Sequence, residues 1–401
     1  MDKKLGLKEN WVQFTLLVII TFFVGGMVGI ERTIFPNFAE SEFGITSATA
    51  VLSFITAFGF SKAFSNYFTG RWANKLGRKN LLIIGWIIAL PIPIILINAT
   101  IWTHVIGANI LLGISQGMTW SSTVVMKIDL IGEKDRGFAM GINEFAGYLA
   151  VGIFAFLSSL IAANYGLTPY PFYLGIAISG LGLLLSIFGV EDTRHHVQLE
   201  ATSNQNKSLK NIFWETTIKD KTLSSVTQAG MINNLNDGML WGLLPIMLLS
   251  MNVSTSNIGL VAAIYPAVWG IGQLFTGKMG DIYNRKYLLF YGMLFQGLAI
   301  VFLPLSNDLF FLGVLSFVLG IGTALVYPTF LTTIAFATSP HQRAESIGTF
   351  RLWRDSGYAF GAILSGILSD LFGISIAIFA IGGLTIISSL VIKFRMPNPK
   401  L

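Results

Sequence analysis

Between Phe350 and Ala362 the sequence reads FRLWRDSGYAFGA, which puts Arg351, Arg354 and Asp355 inside an apolar run with no further charge before Asp370. With Tyr358 they stand at i, i+3, i+4 and i+7, the spacing of one helical face. A carboxylate in such a setting can carry a proton, because burial raises a carboxyl pKa and a neighbouring cation lowers it. A guanidinium can grip a carboxylate or phosphate at two points. Other apolar runs hold comparable groups: Glu31 and Arg32 in GIERTIFP, Lys62 beside Ser65, Asn66 and Thr69, Glu144 in GINEFAGYLAVG, and Asn233, Asn236 and Asp237 in MINNLNDGMLW. Gln116, Thr119, Trp120, Thr123 and Lys127 follow one helical spacing, as do Thr323, Tyr327 and Phe330. Against this, the chain has no cysteine, its adjacent His195 and His196 sit in polar sequence, and no glycine-rich loop ends in Gly-Lys-Ser or Gly-Lys-Thr. No metal site, cofactor, nucleotide or enzymatic activity is therefore expected.

The composition says what positions these groups. Of 401 residues, 53% are hydrophobic and only 11% charged, against roughly a quarter charged in soluble domains, and the mean hydropathy is +0.68. About twenty apolar residues cross a bilayer core, and twelve runs qualify, near 12–35, 47–69, 80–98, 103–126, 137–162, 169–190, 222–248, 255–276, 286–303, 308–334, 344–371 and 373–394. The fold class expected is an all-α membrane protein of twelve transmembrane helices. The first run is too long for a signal-peptide core and is expected to be retained. Twenty-two of the 26 Lys and Arg fall in segments on the side of the N-terminus, the exceptions being Arg32, Lys62, Arg351 and Arg354. Both termini are then cytoplasmic, and the formal charge of +6 reflects that bias, with no affinity for nucleic acid implied.

The chain repeats itself. TGRWANKLGRKNLL from Thr69 matches TGKMGDIYNRKYLL from Thr276, so that Gly70 and Gly277, Arg78 and Arg285, and Lys79 and Lys286 each stand 207 residues apart. Gly113 and Gly320, Arg136 and Arg343, Gly141 and Gly348, and Trp120 and Tyr327 keep the same offset. Six spans per repeat make the halves parallel, related by an axis along the membrane normal. The domains expected are a six-helix bundle over 1–190, a polar cytoplasmic linker over 191–221, and a second six-helix bundle over 222–401.

Twelve spans, a six-plus-six parallel repeat, a long central loop, and a Gly-x-x-x-(Asp)-x-x-Gly-Arg-Lys loop after the second helix of each half together resemble the major facilitator superfamily. DLIGEKDRGFAMG, from Asp129, resembles that family's loop between helices four and five. In the loop motif, Gly70, Asn74, Gly77, Arg78 and Lys79 answer to Gly277, Asp281, Asn284, Arg285 and Lys286. Asn74 stands where the family usually has Asp, Asn284 where Gly is common, Gly113 where many proton-driven members carry Arg, and helix five lacks the Gly-Pro signature of drug antiporters. The resemblance implies that Asp129 accepts from Arg78 as a lock, with Arg136 nearby. Its counterpart, Phe336, cannot accept a hydrogen bond from Arg285, so the lock is asymmetric.

It also implies a substrate cavity lined by helices one, four, seven and ten, and a meeting of helices two and eleven across the halves. Glu31, Arg32, Gln116, Trp120, Glu144, Asn233, Asn236, Asp237 and Tyr327 are the cavity and coupling candidates, with Asn233, Asn236 and Asp237 sharing a face. Lys62 with Asp355, and Asn66 with Arg354, pair as an inner gate or a permanent bridge, with Arg351 on the same stripe. The function expected is secondary active transport by alternating access, first as proton-coupled efflux of a small organic molecule, second as uptake or exchange of an organic anion or metabolite, with a non-transporting membrane sensor or scaffold as a remote third. The partners are the substrate, protons and the lipids of a prokaryotic inner membrane, for a monomer.

Overall fold

The computed structural model describes residues 4–45, 48–132, 135–203, 209–251, 253 and 255–398. The first half contains α1 (Trp11–Phe43), α2 (Ala48–Leu76), α3 (Arg78–Ala89), α4 (Pro91–Ile97), α5 (Trp102–Ile131), α6 (Arg136–Tyr165) and α7 (Tyr170–Phe188). Between the halves lie α8 (Arg194–Ser203) and the short α9 (Ile212–Trp214). The second half contains α10 (Lys221–Ser250), α11 (Thr255–Ile282), α12 (Arg285–Phe302), α13 (Leu309–Ala337), α14 (Pro340–Phe372) and α15 (Ile374–Arg395). The third apolar run is broken into α3 and α4 at Pro91, which opens α4 where a missing N–H is tolerated. No strand occurs among the described residues.

Among the described residues, seven helical segments are long and apolar enough to cross a membrane, in α1, the α3–α4 pair, α6, α7, α12, α13 and α15. The other five long helices carry polar groups within their length: Lys62 and Asn66 in α2, Gln116 and Lys127 in α5, Asp237 in α10, Gln273 in α11, and Arg351, Arg354 and Asp355 in α14. Such groups are tolerated where they face protein or water, and all but Lys62 are buried here.

The chain divides into two compact units. One gathers Met1–Lys134, Ile142–Gln205 and Ser339–Gly348; the other gathers Asp135–Gly141, Asn206–Thr338 and Thr349–Leu401. Each unit thus holds the opening of one helix from the opposite half, α14 in the first and α6 in the second. Within the first unit α1 meets α6 through glycine: a Cβ on Gly25 would lie 2.1 Å from the Gly147 carbonyl oxygen, and one on Gly29 2.5 Å from that of Val151. Within the second, Gly357 and Gly361 sit equally close to the carbonyls of Met231 and Leu235 on α10. Small residues let membrane helices approach to backbone contact.

Two details are added at this level. Lys127, counted above with the loops, lies within α5 and is fully buried. Part of the stretch read as a polar linker folds as α8, with Thr193, His196, Val197 and Glu200 buried. Its polar residues have partners waiting in the first unit, which the composition of the stretch alone does not reveal.

Candidate functional site

At the loop end of the first unit, Asp129 closes α5 between two arginines. Arg78 Nε donates to Asp129 Oδ2 at 3.2 Å, and Arg343 Nη1 to Oδ1 at 3.4 Å. Thr193 Oγ1 donates to Oδ2 at 2.9 Å. Glu200 of α8 takes Arg343 in two-point fashion, at 2.9 and 2.7 Å. The four charges cancel, and none exceeds 2% exposure, a setting in which an unpaired charge would be costly. Gly70 explains the close approach of α14's first turns: a Cβ there would meet the Ala344 carbonyl oxygen at 2.3 Å.

The second unit builds the same pattern from the other chemistry. Phe336 takes the place of Asp129 and is flanked by the guanidinium groups of Arg285, 4.0 Å from the ring centroid, and Arg136, 4.9 Å away. Gly277 here meets Gly137 and Gly141 as Gly70 meets Ala344 and Gly348. Asp281 accepts from the backbone N–H of Gly137 at 2.7 Å and of Phe138 at 3.0 Å, capping the start of α6. Its counterpart Asn74 instead donates to the His341 carbonyl. An amide can donate where a carboxylate cannot, so the departure at Asn74 matches what it faces. Burial holds the Asp281 carboxyl above its usual value in spite of the two N–H donors.

The remaining loop-motif residues differ in the same spirit. Gly77, at φ 87°, precedes α3, and the Lys79 N–H is met by Asp192 at 3.2 Å. In the second half Asn284 caps α12 itself, accepting from the Lys286 N–H at 3.0 Å. Although burial works to raise it, the Asp192 carboxyl is held below its usual value by hydrogen bonds from the Arg194 backbone and side chain and from the Lys79 backbone.

Deeper in the second unit a polar and aromatic chain runs between α10, α11, α13 and α14. Tyr265 donates to Asp237, and Thr323 Oγ1 to the Tyr265 hydroxyl at 3.4 Å. Tyr265 stacks on Trp269 at 5.9 Å, and Trp269 meets Tyr327 at 5.7 Å. Arg354 lays its guanidinium 4.1 Å from the Tyr327 ring and donates to Asp355 at 2.8 Å. Asn234 also donates to Asp355, at 3.3 Å. The buried Arg351 shares this helix. Such a chain can hold a proton on a carboxylate, present aromatic faces, and offer a guanidinium.

The first unit holds its own chain. Lys127 donates to Thr21 Oγ1 at 2.6 Å and to the Asn143 carbonyl oxygen, while the Asn143 amide nitrogen donates to Glu144 at 2.7 Å. Trp120 Nε1 donates to the same Glu144 oxygen at 3.3 Å and packs on Tyr148. The Lys62 ammonium lies 5.3 Å from the Trp120 ring. Asn66 accepts from Ser121 at 2.5 Å, and Gln116 donates to the Val24 carbonyl at 2.8 Å. Among the described residues no group of three or more His, Asp or Glu side chains is placed to hold a metal ion.

Matches to one family model cover residues 17–232 and 226–401, under the description Major Facilitator Superfamily. The chain belongs to that family. It is an integral, multi-pass membrane protein of a transporter family whose members take small-molecule substrates. Multidrug resistance protein MdtG of Citrobacter koseri is 22% identical over 91% of this chain and 90% of that one. The multi-drug efflux pump PmrA homolog of Lactococcus lactis is 22% identical over 90% of each chain. The fold is that of the human organic anion transporter MFSD10, with a TM-score of 0.78 at 15% identity over 96% of this chain and 99% of that one.

Set against these placements, the apolar runs of the sequence mark the charged residues but not all their partners. Glu31 is buried in α1, and the Arg32 side chain lies outside the described residues. Asn236 does not share its contacts with Asp237: it donates to Gln296 of α12 at 3.2 Å and accepts from Thr385 of α15 at 2.7 Å. Adjacent residues point about 100° apart on a helix, so only Asn233 lies near the direction of Asp237. Glu200, Tyr265, Trp269 and Asn143 were missed. Tyr265 and Trp269 carry a signal in hindsight, because they stand 207 residues after Phe58 and Lys62, in register with the repeat.

Proposed function

We propose that the protein is a secondary active transporter that exports a small organic molecule in exchange for protons, its two halves alternating around a central binding region. The observation that carries this reading is Asp237, a buried carboxylate that accepts from Tyr265 and adjoins the Trp269, Tyr327 and Arg354 chain. A carboxylate in that setting can take up and release a proton as its surroundings change, and the aromatic faces suit a largely apolar solute. Glu31, Glu144 and Asp355 are secondary carriers. The efflux direction leans on the names of the two bacterial relatives. Lys62, Asn66, Arg351, Arg354 and Asp355 are assigned to an inner gate between the halves. Both termini face the cytoplasm of a prokaryotic inner membrane, the protein acts as a monomer, and it catalyses no covalent chemistry.

Uptake or exchange of an organic anion is the second reading, favoured by the buried Arg354 and by the organic anion that the name of MFSD10 carries. A thermal-stability screen of the purified protein against drugs and metabolites selects a solute, since a ligand of the folded state raises apparent stability. Proteoliposomes then decide between the readings: with a proton gradient imposed, antiport predicts gradient-driven accumulation that Asp237→Asn abolishes while exchange persists. Gradient-independent movement of an anion, lost in Arg354→Gln, would favour the second.

A further inference from the structure

Glu200 stands outside the transmembrane helices, in the stretch between the halves, yet it is 2% exposed and engages the fully buried Arg343 through both carboxylate oxygens. It is one of several ties that fasten α8 to the first unit. Thr193 donates to Asp129, the His196 ring meets Asn10 at 3.2 Å, and Asp192 receives the Lys79 N–H. Arg343 occupies the first turn of α14, and from Thr349 onward α14 belongs to the other unit. A rearrangement that moves the second unit as a body must therefore either bend α14 near Gly348 or pull Arg343 from its acceptors.

Those acceptors are unequal. Asp129 lies 3.4 Å from Arg343 and is already engaged by Arg78 at 3.2 Å, whereas Glu200 makes two shorter bonds to Arg343. Two-point arginine–carboxylate pairs are strong and directional, and they suit a switch when buried, since desolvation offsets much of their attraction. Arg136, the counterpart of Arg343, meets the Phe336 ring and the Ala335 carbonyl at 3.5 Å.

We propose that Glu200 is a positioning residue of the transport cycle: through Arg343 it clamps the head of α14 to the first unit, and the clamp must release for the halves to move. The proposal rests on the alternating-access reading, but its first test needs no substrate. The chain has no cysteine, so Ser122→Cys gives a single thiol, at a buried position that lines a cavity with Thr69, Gly70, Arg78 and Ala344. In purified full-length protein, Glu200→Gln is expected to raise the rate of maleimide labelling at that thiol at least about tenfold. Glu200→Asp keeps the charge on a shorter arm and is expected to restore slow labelling in large part. In proteoliposomes Glu200→Gln should change the maximal rate while leaving KM within about twofold. An unchanged labelling rate in Glu200→Gln, while Asp129→Asn labels faster, would overturn the clamp; equally fast labelling in Glu200→Asp and Glu200→Gln would overturn it too. If no solute is transported but labelling responds as stated, the clamp stands and the transport reading is what fails.

Discussion

Arg285 holds its guanidinium 4.0 Å from the centroid of the Phe336 ring, whereas Arg78, its equivalent 207 residues earlier, donates to the carboxylate of Asp129. The two halves thus solve one packing problem with two interactions. A desolvated cation–π contact is worth about 1–2 kcal/mol, and it leaves no buried acid to titrate. Phe336→Leu keeps an apolar side chain but loses the ring, so it should destabilise by about 1 kcal/mol, whereas Phe336→Tyr should be near neutral. Thermal unfolding in detergent measures both. Equal melting temperatures for the Leu variant and the parent would show that the ring faces contribute nothing.

Asp281 and Asp192 titrate with opposite signs. Burial raises the Asp281 carboxyl, so its protonated form is favoured in the fold; the stability it adds is present at low pH and is lost as pH rises through its raised pKa. Asp192 is lowered by its hydrogen bonds with Arg194 and Lys79; its contribution is present above the ordinary value of about 3.9 and is lost as pH falls through the depressed one. Unfolding curves for Asp281→Asn and Asp192→Asn between about pH 3 and 6 should therefore lose pH dependence of opposite slope. The same slope for both would contradict these assignments.

Gly70 and Gly277 should resist substitution. A Cβ would stand 2.3 Å from the Ala344 oxygen in the first case and 2.5 Å from the Gly137 oxygen in the second. Because backbone must give way, Gly70→Ala and Gly277→Ala should each cost about 1–3 kcal/mol. Gly152, with nothing within 4 Å of a new Cβ, is the control, and Gly152→Ala should melt with the parent.

Tyr265→Phe removes the hydroxyl that donates to Asp237 and keeps the stack on Trp269. A lost hydrogen bond to a charged group amounts to about 1.5–3 kcal/mol, so proton-driven transport should fall about tenfold or more with the fold intact. Initial rates with and without an imposed gradient measure this. A variant that loses gradient-driven and exchange activity equally would place the hydroxyl in solute binding and not in coupling.

The sequence made the apolar helices, the repeat and the charges set within the apolar runs legible, because hydropathy and a constant offset are properties of the chain itself. Spacing also tells which residues share a face of one helix. It does not tell which neighbouring helix that face meets, and for this reason Asn236 was grouped with Asp237 although it turns to Gln296 and Thr385. Tyr265 and Trp269 lie in an apolar run, and only the placement of Asp237 and Tyr327 beside them gives them a role. Glu200 was hidden differently: its stretch is polar enough to read as a solvated connection, and only the docking of α8 against Arg343 explains why that charge is buried.

The central claim is that Asp237 couples solute export to protons. Its most direct test is accumulation of a solute, chosen by thermal stabilisation, in proteoliposomes under an imposed pH gradient, comparing the parent with Asp237→Asn. Accumulation that follows the gradient in the parent, with only gradient-independent exchange left in the variant, is the predicted result. Transport with the same pH dependence in both proteins would contradict it.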